Sequence, residues 1–326
     1  MTKTGAIRFA TTGGPDVLVW EQIDLDSPGA GEVLLRHTAI GLNYIDNYHR
    51  SGLYPVPLPS GLGGEAAGIV EAVGAGVDEV KVGDRVVYCS GPLGAYAEHR
   101  LIAADHLIKL PTAIDGRVGA AALLQGLTAW YLVRRTHVVK PGETVLVHAA
   151  AGGVGLIMVQ WAKHLGATVI GTVGSEEKAA LASRHGCNHT ILYRHEKVSD
   201  RVRELTGGKG VPVVYDGVGK DTFADSLDCL APLGLMVSYG NASGAVPPLD
   251  ILTLTRKGSL FLTRPTLGTY TPTRQALEAA TDELFGLVAA GTIKIEINQT
   301  FALKDAALAH RAIESRATTG KTLLLP

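Results

Sequence analysis

Cysteine is scarce: Cys89, Cys187 and Cys229 are the only three in 326 residues, and they lie far apart. That excludes a locally built disulfide framework and any Cys-x-x-Cys motif, and it makes a four-cysteine zinc site impossible. Net charge is nearly absent too, with 30 Lys and Arg against 31 Asp and Glu, a balance of −1. A chain so balanced lacks the electrostatic footprint of a nucleic-acid binder, and aromatic and basic residues do not cluster, so no nucleic-acid partner is expected. No apolar stretch is long enough to span a bilayer, and Met1 to Arg8 holds no signal-peptide core. The expectation is a cytoplasmic protein without a membrane partner. His37, His49, His99, His106 and His148 show no His-x-x-x-His or cysteine-paired spacing, and no metal is expected. Repeats and low-complexity segments are missing as well.

What remains is ordinary folded composition, 46% hydrophobic and 19% charged, in a chain long enough for about two domains. Residues 1–125 are dense in glycine, proline and short β-type runs such as Glu32 to Arg36, Ala67 to Val73 and Asp84 to Tyr88, which predicts an irregular β-rich domain. Residues 126–264 alternate strands and helices. Strands are predicted at 144–149, 168–173, 189–193, 212–216, 234–239 and 259–263, and helices at 154–165, 176–185, 199–206 and 221–230. Six strands with helical crossovers make an α/β fold, a complete doubly wound parallel sheet. The tail, 265–326, reads as a helix at 273–290, a strand at 293–297, a helix at 304–316 and a strand at 322–325. Too short to fold alone, it is expected to pack on the first domain, which makes the second an insertion.

Within the alternating region, Glu143 to Val147 reads as a strand, His148 to Gly155 as a glycine turn and Leu156 to Lys163 as a helix start. Small residues here, Gly152, Gly153, Val154 and Gly155, let a pyrophosphate approach backbone N–H groups at the helix N-terminus. Sites for NAD carry an acid about 20 positions past the first glycine, but Thr172 to Ser175, the window that includes Gly174, has none. Ser175 instead caps the next helix and Lys178 falls in its first turn, where a cation opposes the helix dipole unless an anion is near. A 2′-phosphate supplies that anion, which favours NADPH. The competing reading is a solvated lysine offset by Glu176 and Glu177. His148, directly before the turn, is placed to brace it.

Gly63-Gly64-Glu65-Ala66-Ala67-Gly68, Gly83-Asp84-Arg85-Val86, Asn43-Tyr44-Ile45-Asp46 and the turn Ala149 to Gly155 together resemble the medium-chain dehydrogenase/reductases. Arg50 to Pro55 and Tyr215 to Gly219 resemble the zinc-free, zeta-crystallin-like quinone oxidoreductase branch. The likeness runs from about Gly13 to the C-terminus. It implies a GroES-like β-barrel domain (1–125 and 265–326), an inserted Rossmann NADP-binding domain (126–264) and a homodimer. Zinc-dependent members carry histidine where this chain has Gly64, and a cysteine ligand where it has Asn43. Without a Lewis acid the substrate should be intrinsically electrophilic, and small quinones and conjugated enones both qualify.

The resemblance places Asn43, Tyr48 and Tyr54 at the mouth of the substrate and nicotinamide pocket, where amide and phenol groups can hydrogen-bond a quinone oxygen. It gives Thr128 as a nicotinamide-side contact and Tyr193 as an adenosine-phosphate contact. Ser238, Tyr239, Gly240 and Asn241 end the fifth strand at the ligand-binding edge, and Arg264 follows the sixth. Arg264 and Arg316 are candidate phosphate or amide clamps if the tail folds back. Asp46 reads as a helix cap or structural partner. The expected activity is zinc-independent reduction of quinones by NADPH. Its alternatives are an NADPH-dependent enone or enoyl reductase, and a non-catalytic NADPH-binding protein of crystallin or RNA-binding type.

Overall fold

The computed structural model describes residues 1–326 and divides into two compact units. One comprises Met1–Leu124, Thr281–Ala289 and Ile295–Pro326; the other comprises Gln125–Ala280 and Ala290–Lys294. In chain order the first unit begins with β1 (Thr2–Phe9), β2 (Val19–Leu25), β3 (Glu32–Leu42), α1 (Tyr44–Ser51), β4 (Ser60–Gly61), β5 (Ala66–Val73), β6 (Arg85–Tyr88), β7 (His99–Ala103) and β8 (Ile108–Lys109). The unit boundary falls inside α2 (Gly116–Tyr131).

The second unit continues with β9 (Thr144–Val147), α3 (Gly153–His164), β10 (Thr168–Val173), α4 (Glu176–Arg184), β11 (His189–Leu192), α5 (Val198–Leu205), β12 (Val211–Asp216), α6 (Phe223–Cys229) and β13 (Leu230–Ser238). After these come α7 (Leu252–Arg256), β14 (Phe261–Thr263), α8 (Leu267–Tyr270) and α9 (Arg274–Ala289), and the chain closes with β15 (Ile297–Ala302), α10 (Ala306–Glu314) and β16 (Lys321–Leu325).

The sheet of the second unit runs β11-β10-β9-β12-β13-β14, all parallel, which is the doubly wound order with its reversal between β9 and β12. Val145, Leu146, Val147, Val169, Ile170, Val213 and Val214 are fully buried, as strands covered by helices on both faces require. The predicted elements match within a few residues. In the first unit β3 is the pivot. It pairs antiparallel with β5, β7 and β16, so the last strand of the chain is sewn to an early one. Ile7, Leu35, Ile40, Val70, Tyr88 and Leu324 share its core.

The tail departs from expectation. Residues 265–280 and 290–294 group with the second unit instead of the first. Tyr270 stacks on Tyr131 with ring centroids 4.9 Å apart and planes 7° from parallel, and its hydroxyl accepts from Thr136 Oγ1 at 2.9 Å. The strand placed at 293–297 forms at Ile297–Ala302 instead. The Gln160 side chain occupies both backbone groups of Lys294, donating to its carbonyl at 3.0 Å and accepting its N–H at 2.9 Å, so ladder pairing begins only at Ile297.

Candidate active site

The first unit gathers its candidate residues around the start of α1. Asn43 is extended (φ −129°, ψ 155°), and its N–H donates to Asp46 Oδ2 at 2.9 Å, so Asp46 is the helix-capping partner. The Asn43 side chain is clamped. Its Nδ2 donates to Glu65 Oε2 at 2.8 Å and to the Gly41 carbonyl at 3.2 Å, while Oδ1 accepts from Lys321 Nζ at 2.8 Å. Lys321 also donates to Glu65 Oε2 at 2.6 Å, and Glu65 Oε1 accepts the Leu124 N–H at 2.6 Å. Glu65 and Lys321 are 0% and 1% exposed. A Cβ on Gly41 would stand 2.2 Å from Glu65 Oε2 and 2.5 Å from the Ala120 carbonyl, so only glycine lets the carboxylate lie against this backbone.

This clamp corrects the expectation for Asn43. An amide nitrogen has two N–H donors, and both are committed here; only acceptor capacity on Oδ1 remains. A donor to a quinone oxygen must come from elsewhere. Tyr48 and Tyr54 are brought together, with ring centroids 5.1 Å apart edge to face; Tyr48 is buried and Tyr54 half-buried. Arg316 follows α10 in a left-handed turn (φ 58°), exposed, with its charge felt by Tyr44. It stands in the first unit.

Behind α1 lies a buried polar chain. Tyr96 O–H donates to Asp46 Oδ2 at 3.0 Å, so the Tyr96 oxygen accepts from His310 Nε2 at 3.1 Å. Burial pushes the Asp46 carboxyl up to about 7, against the pull of the Asn43 N–H, the Tyr96 hydroxyl and Lys321. Burial also holds His310 down to about 3, helped by the Arg50 charge. His37 is likewise held at about 3 by burial, its ring between the Ala97 carbonyl (2.6 Å) and the Tyr88 hydroxyl (2.9 Å).

The second unit assembles its candidates at the carboxyl ends of its parallel strands. After β9 the chain turns at Ala149 (φ 52°), and Gly152 leads into α3. The first helical bond is Leu156 N–H to the Gly152 carbonyl, so the N–H groups of Gly153, Val154 and Gly155 project from the helix N-terminus. A Cβ on Gly155 would meet the Ala149 carbonyl at 2.3 Å.

After β10, Ser175 Oγ accepts the Lys178 N–H at 3.4 Å as the cap of α4, with Lys178 half-buried in the first turn. Tyr193, just past β11, has its hydroxyl 2.6 Å from where a Gly174 Cβ would stand. Just past β14, Arg264 donates from Nη1 to Ser238 Oγ at the end of β13 (3.2 Å) and to the Gly240 carbonyl (3.0 Å). With its amide turned to suit its neighbours, Asn241 donates to the Gly240 carbonyl and accepts from Arg264 Nη2, each at 3.0 Å. Tyr239 closes over Gly217, and the Thr128 side chain bonds to Tyr131.

Two family models match. Residues 29–112 fit the alcohol dehydrogenase GroES-like domain, and residues 153–284 fit the zinc-binding dehydrogenase domain. A quinone oxidoreductase of Pseudomonas aeruginosa is 58% identical over 98% of this chain and 99% of its own length. The crystal structure of Escherichia coli quinone oxidoreductase complexed with NADPH superposes with a TM-score of 0.97 at 52% identity, covering 99% of this chain and all of that one. The chain belongs to the quinone oxidoreductase branch of the medium-chain dehydrogenase/reductase family. A 2-haloacrylate reductase of Burkholderia is 51% identical over 96% of each chain.

No three His, Cys, Asp or Glu side chains are grouped so as to hold a metal ion. The cation beside Asn43 and Glu65 is the Lys321 ammonium. Cys89, Cys187 and Cys229 are buried free thiols, and burial pushes all three up, Cys187 to about 11. Sequence reasoning missed Lys321 and the buried role of Glu65, which are separated by 256 positions.

The raised Asp46 has a definite linkage sign. Between the ordinary aspartate value of 3.8 and about 7 the folded chain keeps a proton that the unfolded chain loses, so Asp46 erodes stability as pH rises through that window. His37 and His310 act oppositely, eroding stability as pH falls from 6.5 towards about 3. In Asp46→Asn, the urea midpoint should therefore fall less, or rise more, than that of the parent between about pH 5 and about pH 7.5. Identical pH dependence in the two proteins would contradict the assignment.

Proposed function

We propose that the chain is a cytoplasmic NADPH-dependent reductase of small quinones, its first unit catalytic and its second unit the cofactor domain. One arrangement carries the cofactor choice: Gly174 without a Cβ, the Tyr193 hydroxyl above it, the Ser175 cap and Lys178 all stand at the end of β10, where residues 172–175 hold no acid and the first-turn Glu177 accepts from Ser175 Oγ at 3.1 Å. That cradle fits a 2′-phosphate, as the projecting N–H groups of Gly153, Val154 and Gly155 fit a pyrophosphate.

When bound, NADPH supplies a hydride, and with one proton this converts a quinone to its hydroquinone. The chain's own residues bind and orient. Lys178 and Tyr193 hold the 2′-phosphate, Gly152 to Gly155 the pyrophosphate, and Ser238 to Asn241 with Arg264 the nicotinamide end, near Thr128. Asn43 Oδ1 accepts from a donor such as the carboxamide, and the phenols of Tyr48 and Tyr54 donate to the quinone oxygen. Arg316 remains a candidate clamp for the same cofactor. The second reading, reduction of a conjugated double bond, is favoured by the relative named for 2-haloacrylate.

We also propose a homodimer in which a second copy covers β14. This edge strand leaves Phe261 60% and Leu262 40% exposed, and Ile251 in the preceding segment is 74% exposed. Light scattering should give twice the chain mass for the parent and a lighter species for Phe261→Asp; a monomeric parent would refute the dimer.

The functional test follows nicotinamide absorbance with NADPH or NADH against 1,4-benzoquinone, 2-chloroacrylate and an enone, with a chelator present. Quinone turnover with NADPH should be fastest and indifferent to the chelator. Faster turnover of either alkene substrate would favour the second reading, and NADPH binding without oxidation of any would refute an enzyme. In the same assay Lys178→Ala should weaken NADPH by about 1.5–3 kcal/mol, roughly ten- to a hundredfold, and leave NADH nearly untouched. Equal losses for both cofactors would remove the 2′-phosphate role.

A further inference from the structure

The strand-order reversal of the second unit lies between β9 and β12, and a buried hydrogen-bonded chain ties their ends together there. Asp216, 0% exposed at the end of β12, accepts at Oδ1 from the N–H groups of Val218 (2.8 Å) and Gly219 (3.0 Å), and at Oδ2 from Ser226 Oγ (2.9 Å). Thr222 Oγ1 lies 2.9 and 2.7 Å from the two oxygens. Ser226 Oγ is 2.9 Å from His148 Nε2, His148 Nδ1 is 3.0 Å from Thr172 Oγ1, and Thr172 Oγ1 is 3.3 Å from the Ala149 nitrogen. His148, Thr172 and Ser226 are 1%, 2% and 0% exposed, so these groups have only one another to satisfy them.

The carboxylate sets the direction of every bond in the chain. Asp216 only accepts, so Ser226 must give it its single proton and can take only a donor from the ring. His148 therefore carries its hydrogen on Nε2, and burial keeps the ring neutral. Its Nδ1 is then an acceptor, which turns the Thr172 O–H towards it and leaves the Thr172 oxygen facing the Ala149 N–H. Ala149 is the left-handed residue at which the glycine turn opens, and a non-glycine residue there needs its surroundings to hold it.

We propose that Asp216, Ser226, His148 and Thr172 form a positioning relay, in which a carboxylate at one side of the strand-order reversal fixes the turn that receives the cofactor's pyrophosphate on the other. The relay rests on reading Ala149 to Gly155 as that turn. None of the four need touch the cofactor; they act through Ala149.

The test uses the full chain labelled with nitrogen-15 at histidine and at backbone amides, with NADPH as ligand, and His148→Gln to assign the ring signals. In the parent, His148 should be neutral with hydrogen on Nε2. In Asp216→Asn the amide nitrogen donates to Ser226 and reverses the chain, so the hydrogen should move to Nδ1. Thr172→Val, which keeps shape and loses the hydroxyl, should raise the NADPH KM about five- to twentyfold with kcat and the quinone KM changed less than twofold, whereas Thr172→Ser should stay near the parent. A parent ring with hydrogen on Nδ1, or a Thr172→Val variant with parental NADPH KM, overturns the relay. If NADPH fails to shift the amide signals of Gly152, Gly153 and Gly155 in the parent, the turn assignment and the relay fall together. If those signals shift while Thr172→Val matches the parent, the relay alone falls.

Discussion

The Glu65–Lys321 ion pair holds the first unit's candidate site in place. A carboxylate and an ammonium taken wholly out of water cost several kcal/mol each, and the pair is tolerable only when geometry is close and the remaining lone pairs are met. Here Nζ stands 2.6 Å from Oε2, the Leu124 N–H and the Asn43 amide satisfy the carboxylate, and Gly41 yields the space it needs. Because Lys321 opens β16 and Glu65 stands just before β5, the same bond that orients Asn43 also ties the end of the chain to its early strands. The site's orientation and the closure of the fold are one constraint.

Hydrogen-bond direction follows from such fixed charges. Glu65 accepts from both the Asn43 amide and the Lys321 ammonium, which leaves Asn43 with acceptor capacity only. Asp46 accepts from the Tyr96 hydroxyl, so the Tyr96 oxygen receives the His310 Nε2–H. Asp216 does the same for Ser226 and His148 in the other unit. Buried acidic groups thus decide which neighbours can give and which can only receive, so chemistry at the proposed cleft is narrower than a roll of polar residues suggests.

Much of this was legible in the sequence because local patterns carry it. Apolar runs broken by glycine located the six parallel strands, and the glycine turn, the Ser175 cap and the missing acid after β10 appear where the pattern put them. The tail was misread where a side chain overrides backbone propensity: Gln160 takes both backbone groups of Lys294, and no periodicity in 290–297 reveals it. Tyr270 was assigned to the wrong unit for the same reason, since its stacking partner Tyr131 lies far away in sequence. Asn43 was found, but its donors were counted as available because Lys321 and Glu65 carry no local signature of pairing. The three-residue links Asp216–Ser226–His148 were hidden likewise, although His148 was noticed beside the turn it braces.

The central claim, that the Glu65–Lys321 pair is the constraint on which the first unit depends, is tested most directly by a double-mutant cycle read as unfolding free energy. Lys321→Met and Glu65→Gln each strand a buried partner, and each should cost about 3–5 kcal/mol, while the double variant should lose far less than their sum. Additive losses, or single variants within about 1 kcal/mol of the parent, would contradict the account.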